Sequence, residues 1–163
     1  MLSTRLGLAA IAPFLLAAVV MSGCGGASNG DSGALSRRQF ATKANALCAT
    51  AQTKRAQLLQ QLPMSPSGPA DAEKLDRIVT IDRELVREVD ALIPPESEQD
   101  RVDKVLDSWR NRAGVEQQYA DAVGAMQDPA TLASVTANLA QIDAATDPIA
   151  VQLGMTECTR GAT

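Results

Sequence analysis

The sequence predicts an all-α protein: an up-and-down antiparallel four-helix bundle, with a short fifth helix or a kinked extension at its C-terminus, closed by one disulfide. The composition is rich in alanine, leucine and valine and poor in aromatic residues, which favours packed helices over a β-sandwich. Four stretches carry apolar residues at helical spacing and are joined by short connections. Two cysteines lie where such a bundle would bring them together.

The first two dozen residues have the pattern of an exported protein's leader. Arg5 supplies one positive charge, and residues 6–20 are almost wholly apolar. The small residues Ser22 and Gly23 then precede Cys24. A charged region, an apolar region and small residues in this order are typical of a secretory signal peptide. The cysteine after the small residues resembles the lipobox of bacterial lipoproteins, which implies a diacylglyceryl thioether on Cys24.

Two other interpretations of the leader remain open. An uncleaved membrane helix is disfavoured, because fifteen apolar residues rise only about 22 Å and Pro13 interrupts them. Cleavage at Gly25-Gly26-Ala27 instead would discard Cys24 and release a soluble protein. We expect residues 1–23 to be a lipoprotein signal peptide and Cys24 to anchor the chain to the outer face of the cell membrane through its acyl chains.

The chain after the signal peptide divides into a tether and one domain. Residues 24–35 are rich in glycine and serine, which indicates a flexible tether. Residues 36–163 are enough for a single helical bundle with its own core. The formal net charge is −4 and no basic stripe is present, so we expect an envelope protein rather than nucleic acid as partner.

Helix 1 is predicted to begin after Ser36. Ser36 and Gln39 have the spacing of a capping box, and Leu35 and Phe40 that of a hydrophobic staple. A loop with three prolines follows Leu62. The predicted buried stripe consists of Phe40, Ala44, Leu47, Ala51, Leu58 and Leu62.

Helix 2 is predicted from Pro69 or Asp71 to Ile93, where Pro94-Pro95 stops it. Its opposite face carries four closely spaced acids, which in a cleft would suggest a glycosidase. These acids alternate with Arg83 and Arg87, so the pattern favours a solvated face of mixed charge. The four acids are Asp82, Glu84, Glu88 and Asp90.

Helix 3 is predicted to open with Ser97 as its N-cap, and Gly114 and Gly124 predict a break or bend. Its predicted core stripe contains Val102, Val105, Leu106, Trp109, Ala113, Ala120 and Val123.

Helix 4 is predicted from Asp128-Pro129, an N-cap followed by proline. Asp147-Pro148 repeats that signal, and a loose tail is predicted to hold Met155, Cys158 and Arg160. The predicted buried face consists of Leu132, Val135, Leu139 and Ile142.

Cys48 and Cys158 are predicted to form a disulfide. With Cys24 acylated they are an even pair, and the end of helix 4 lies beside the start of helix 1 in an antiparallel bundle. The alternative is a redox or metal pair. It is disfavoured because no Cys-x-x-Cys spacing and no histidine are present.

The chain has no histidine, which removes the commonest general base and metal ligand. No glycine-rich phosphate loop, Gly-x-Ser-x-Gly motif or acidic calcium loop is present in the sequence either. We therefore expect no enzymatic activity, and no catalytic, cofactor-binding or metal site.

The segment from Phe40 to Cys48, Phe-Ala-Thr-Lys-Ala-Asn-Ala-Leu-Cys, resembles a helix-1 signature of small actinobacterial lipoproteins of the mycobacterial type, whose function is uncharacterised. Pro94-Pro95 and Cys158 match later features of that group. The resemblance implies an exported helical domain closed by a Cys48–Cys158 disulfide. It implies no substrate, activity or binding residues.

Two functions follow as expectations. The first is a lipid-anchored interaction module, which an exposed apolar patch would support. The second is a carrier of a lipid or another apolar molecule between the helices. Small core residues would leave room for that cargo, whereas a fully packed interior would argue against it. The small residues concerned are Ala44, Ala51, Ala113 and Ala120.

Overall fold

The computed structural model describes residues 33–160. The predicted signal peptide, Cys24 and most of the tether lie outside these residues. The described elements are α1 (Arg37–Leu59), α2 (Pro69–Asp90), α3 (Gln99–Gly124) and α4 (Pro129–Gln152), with 3-10 turns at Glu96–Glu98 and Thr156–Cys158. No strand occurs among them, and the predicted all-α fold class is confirmed.

The helices form an up-and-down bundle in which each packs against the next along the chain. The α1–α2 and α3–α4 connections lie at one end, and the α2–α3 connection lies at the other. α1 and α4 have little direct contact with each other, and the C-terminal turn Thr156–Cys158 contacts both. This turn therefore closes the bundle between its first and last helices.

The predicted start of α1 is confirmed. The Ser36 side chain accepts a hydrogen bond from the backbone N–H of Gln39, and the Gln39 side chain accepts one from the backbone N–H of Ser36. Leu35 packs against the core cluster that contains Phe40, as a hydrophobic staple requires. The Leu35 N–H also bonds the Ile93 carbonyl at 2.8 Å, which fixes the entry of the chain at the α2–α3 connection.

The predicted N-cap of α3 is wrong. A 3-10 turn follows Pro95, and α3 begins two residues after Ser97, at Gln99. Glu98 is buried there and forms ion pairs with Arg37 and Arg101. α3 continues through Gly114 and ends at Gly124, so the predicted break does not occur.

The C-terminal part resolves one open alternative and needs one correction. α4 begins after Asp128 as predicted and continues through Pro148, so of the two predicted alternatives an extension of helix 4 forms, and no fifth α-helix occurs in the described residues. The tail is not loose, because Met155 and Cys158 are buried in the core. The predicted inner face of α4 is only half-buried, since α1 does not cover α4 along its length.

The apolar core consists of two clusters along the bundle axis. The larger one surrounds Phe40, Trp109 and Met155, and the smaller one lies near Leu75 and Val123. Within the described residues, no helix is both long enough and apolar enough to span a membrane.

Candidate functional site

Six charged side chains meet between the two apolar clusters, and we call them the ionic layer. Every helix and the C-terminal segment contribute to it. The ionic layer consists of Arg55 of α1, Asp82 of α2, Arg112 and Glu116 of α3, Asp143 of α4, and Arg160.

Asp82 lies at the centre of the ionic layer and is only 4% exposed. Its Oδ1 accepts a hydrogen bond from Arg160 Nη2 at 2.7 Å, and its Oδ2 is bonded by the Arg55 guanidinium. Arg112 Nη1 lies 3.7 Å from the same Oδ2. The prediction that Asp82 belongs to a solvated face is therefore wrong, whereas Glu84, Glu88 and Asp90 are exposed as predicted.

Arg112 connects α3 to α4 within the same layer. Its Nε donates to Asp143 Oδ1 at 2.7 Å, and its Nη1 bonds Glu116, one helical turn further along α3. Arg55 Nη2 also bonds Glu116, at 3.3 Å. One network of ion pairs therefore connects all four helices and the C-terminal segment.

The ionic layer contains three carboxyl groups and three guanidinium groups. Asp147, which accepts the backbone N–H of Arg160 at 3.0 Å, places a fourth carboxyl group beside them. Burial, together with the neighbouring Glu116 carboxyl, raises the pKa of Asp82 to about 7. Burial alone would raise the pKa of Glu116 too, but its bond with Asp82 and the charges of Arg55 and Arg112 lower it.

Charged residues at core-stripe positions of three helices could have predicted this layer from the sequence. Arg55 lies four residues after Ala51 and three before Leu58, which is where the core stripe of helix 1 has a gap. Asp82 and Glu116 occupy equivalent places in the stripes of helices 2 and 3. Charged residues at positions of the buried stripe could therefore have been recognised as partners.

A perturbed carboxyl pKa is often associated with catalysis, which requires access for a substrate. The space beside Asp82, Arg112 and Glu116 is too small to hold a water molecule. Two buried atoms of the layer, Glu116 Oε2 and Arg160 Nη1, have no hydrogen-bond partner. Asp82 and Glu116 are therefore enclosed, with no room beside them for a substrate, whereas Arg112, Asp143 and Arg160 also border the surface groove along α4.

The predicted cysteine pair is present. Cys48 and Cys158 are bridged, with a Cα–Cα distance of 5.1 Å and a sequence separation of 110 residues. Both are buried in the larger apolar cluster. Within residues 33–160 no group of three or more potential ligands is arranged to hold a metal ion. The predicted lipidation site, Cys24, lies outside the described part of the chain.

The segment from Phe40 to Cys48 holds the C-terminal turn. Asn45 Nδ2 donates to the Gly154 carbonyl at 2.9 Å, and its Oδ1 accepts the Glu157 N–H at 3.0 Å. Gly154 has φ +80°, and a Cβ there would lie 3.2 Å from the Cβ of Ala41. Much of this segment is thus explained by its contacts with residues 153–158.

Three surface spaces are large enough for a ligand or a partner's side chain. One of about 400 Å³ lies between the α1–α2 loop and the α3–α4 connection. A second, of about 720 Å³, runs along α4, and a third, of about 340 Å³, lies between α2 and α3.

The first of these spaces lies in an apolar region. Met64, Met126 and Leu59 are 105%, 73% and 49% exposed, and all three lie at this end of the bundle. We call this region the apolar end. Tyr119 and Leu132 line its groove.

No protein-family model, curated protein or solved structure matches this chain.

Proposed function

We propose that the chain is a lipid-anchored protein of the cell envelope whose helical domain is a non-catalytic module that docks on another envelope protein. Export and acylation of Cys24 are supported by the leader pattern of the first two dozen residues. The resemblance of the Phe40–Cys48 segment to actinobacterial lipoproteins is consistent with this location.

The observation that carries the docking proposal is the apolar end. Met64 and Met126 are exposed there and line one groove together with Tyr119 and Leu132, and exposed apolar side chains grouped around a groove are typical of interaction sites. Met64 and Met126 are flexible and polarizable, which suits a surface that adapts to a partner's side chains. Met126 has φ +52°, a left-handed conformation that costs energy in a residue with a side chain.

The described chain enters the bundle at the end opposite the apolar end. Gly33 lies next to Ile93, at the α2–α3 connection. The apolar end is formed by the α1–α2 loop and the α3–α4 connection, so the entering segment does not cover it.

Absence of catalysis is part of the proposal. It is supported by the lack of histidine and by the enclosure of Asp82, whose pKa is raised to about 7.

A carrier of an apolar molecule is the second candidate. The four alanines that suggested an interior cavity are at most 6% exposed and permit close helix packing, so an interior site has little support. The groove of about 720 Å³ along α4 favours a surface site instead, because Leu139, Ala140 and Pro148 line one part of it. Its remaining lining is largely charged and includes Arg112, Asp143, Asp147 and Arg160, which suits a cargo with a polar group.

Two measurements test the proposal. Mass spectrometry of the chain from its own membrane would give a mature N-terminus at an acylated Cys24, and Cys24→Ser would abolish membrane attachment. A photo-crosslinking amino acid at Met64 or Met126 would yield one defined protein adduct, and the same amino acid at Val151, an exposed apolar position near the end of α4, would not.

The adduct from Met64 would be lost in the variant Leu132→Glu, which places a charge in the groove. Equal adducts from Val151 would contradict a specific docking end. An adduct only with a second copy of this chain would contradict a heterologous partner.

A further inference from the structure

We infer that the groove between α2 and α3 is a binding site for a phosphate ester. Three arginines surround it, and an apolar floor lies between them. Its volume is about 340 Å³, at the small end of the range for ligand pockets. We call it the arginine groove. The inference is independent of the proposed function, because it uses neither the leader nor the apolar end.

The arginines reach the groove from both helices. Arg83 and Arg87 are one turn apart on α2, and Arg110 faces them from α3. Their guanidinium groups are planar and match the spacing of phosphate oxygens, which they bind through paired hydrogen bonds. Donors from two helices suit a tetrahedral group with several oxygens better than a planar carboxylate, which a single arginine can bind.

Two acids and two arginines of α2 lie on different sides of the helix. Glu84 and Glu88 line a different space, beside α1, while Arg83 and Arg87 line the arginine groove. The acid of α2 next to the groove is Asp90, which pairs with Arg110, so cations predominate there in a chain of formal net charge −4. Charge complementarity favours an anion in the groove, and it disfavours general attraction of anions to the protein as a whole.

The three arginines keep hydrogen-bond donors that no described residue uses, and a ligand could accept from them. Arg110 pairs with Asp90 at 3.0 Å and Asp107 at 2.7 Å, and Arg83 Nη2 bonds Gln117 Oε1 at 3.2 Å. The Arg87 guanidinium forms no hydrogen bond or ion pair with any described residue. Three guanidinium groups thus face only two carboxylates, and Arg87 has all of its donors available.

Gly114 is an independent indication of a ligand. Glycine lowers the stability of a helix interior relative to alanine, yet α3 continues through this position. Helix packing does not require it, because a Cβ at Gly114 would meet no atom within 4 Å. Gly114 lines the arginine groove, so any side chain there would occupy the space between the arginines. Close approach of a ligand to the backbone explains the glycine where packing does not.

The apolar floor defines the rest of the ligand. Val86 and Ala113 lie beneath the arginines and are otherwise buried. A phosphate ester with a short organic body would place its anion among the guanidinium groups and its carbon atoms on Val86 and Ala113. Both a phospholipid headgroup and a soluble phosphate ester have this chemistry.

The test is calorimetric titration of the full chain in non-ionic detergent micelles free of phosphate. One arm adds glycerol 3-phosphate, and a second replaces a tenth of the detergent by phosphatidylglycerol. Binding in the first arm identifies a soluble ester as sufficient, and binding in the second arm alone identifies the lipid headgroup. The inference would be overturned if no heat of binding were measured in either arm.

Three variants distinguish a specific site in the arginine groove from non-specific electrostatic attraction of the anion to the protein surface. Arg87→Gln is expected to weaken binding at least tenfold, whereas Arg77→Gln, the same charge change on the same helix outside the groove, is expected to leave it unchanged. Gly114→Leu is expected to abolish binding while raising Tm by about 2–5 °C, because it fills the groove and favours the helix. Equal weakening by Arg87→Gln and Arg77→Gln, or unaltered binding by Gly114→Leu, would refute the site.

Discussion

Replacement of Asp82 by asparagine tests whether the ionic layer holds a proton near neutral pH. Burial and the adjacent Glu116 carboxyl raise the pKa of Asp82 to about 7. The chain contains no histidine, so no side chain with an ordinary pKa between 5 and 8 competes with this signal. A pH dependence of stability in that range would therefore report on the ionic layer.

The sign of the effect follows from the direction of the pKa shift. The unfolded chain has the ordinary aspartate pKa of 3.8, so the folded protein holds this proton more tightly between pH 4 and pH 7. The free energy of unfolding consequently falls as the pH rises, and the loss is complete above the folded pKa. The full effect is about 4 kcal/mol, of which about 2–3 kcal/mol is lost between pH 5 and pH 8.

The assay is urea unfolding at pH 5, 6, 7 and 8. Wild-type protein is expected to lose stability across this series. Asp82→Asn, a neutral residue of similar shape, is expected to remove most of the slope, because the asparagine amide binds no proton between pH 5 and pH 8. Glu84→Gln is the matched control, since this exposed acid lies two residues further along α2 and should leave the slope unchanged. Stability that rises between pH 5 and pH 8, or an unaltered slope in Asp82→Asn, would refute the reasoning.

Two further predictions concern the C-terminal turn. The double variant Cys48→Ala/Cys158→Ala is expected to lower the free energy of unfolding by about 5 kcal/mol, because the bridge closes a loop of 110 residues. Urea unfolding measures the difference, and equal midpoints with and without the bridge would contradict the prediction. Asn45→Ala is expected to lower the free energy of unfolding by about 1–2 kcal/mol and to speed amide exchange at Glu157, because two side-chain hydrogen bonds to the turn are lost. Lys43→Ala is the control, since Lys43 is exposed and its side chain forms no hydrogen bond with a described residue. Unchanged exchange at Glu157 in Asn45→Ala would show that Asn45 does not hold the turn.

Local chemistry was sufficient to predict most of the helices. The capping box at Ser36 and the Asp128-Pro129 start involve residues a few positions apart, and both are confirmed. At Asp147-Pro148 the sequence alone did not decide between a new helix and an extension of helix 4, because an Asp-Pro pair can begin a helix or lie inside one. At Ser97 the chain forms a 3-10 turn first, because buried Glu98 pairs with Arg37 from a different helix.

The ionic layer was harder to predict, because its members belong to five separate segments. Each of Arg55, Asp82 and Glu116 has the composition of a surface residue when its own helix is considered alone. Their burial becomes favourable only when the partners from the other helices are present. The lysine at position 43 has no structural explanation, because its side chain is exposed and no contact accounts for its place in the Phe40–Cys48 segment.

The burial of Met155 and Cys158 against α1 makes the start of the domain dependent on its last turn. Until residues 153–158 are present, the Cys48 thiol has no partner and the cluster around Phe40 lacks Leu153 and Met155. A chain interrupted before Leu153 would carry both an unpaired thiol and an uncovered apolar surface. The stability of α1 thereby depends on the last residues to be synthesised, although α1 is the first helix of the domain.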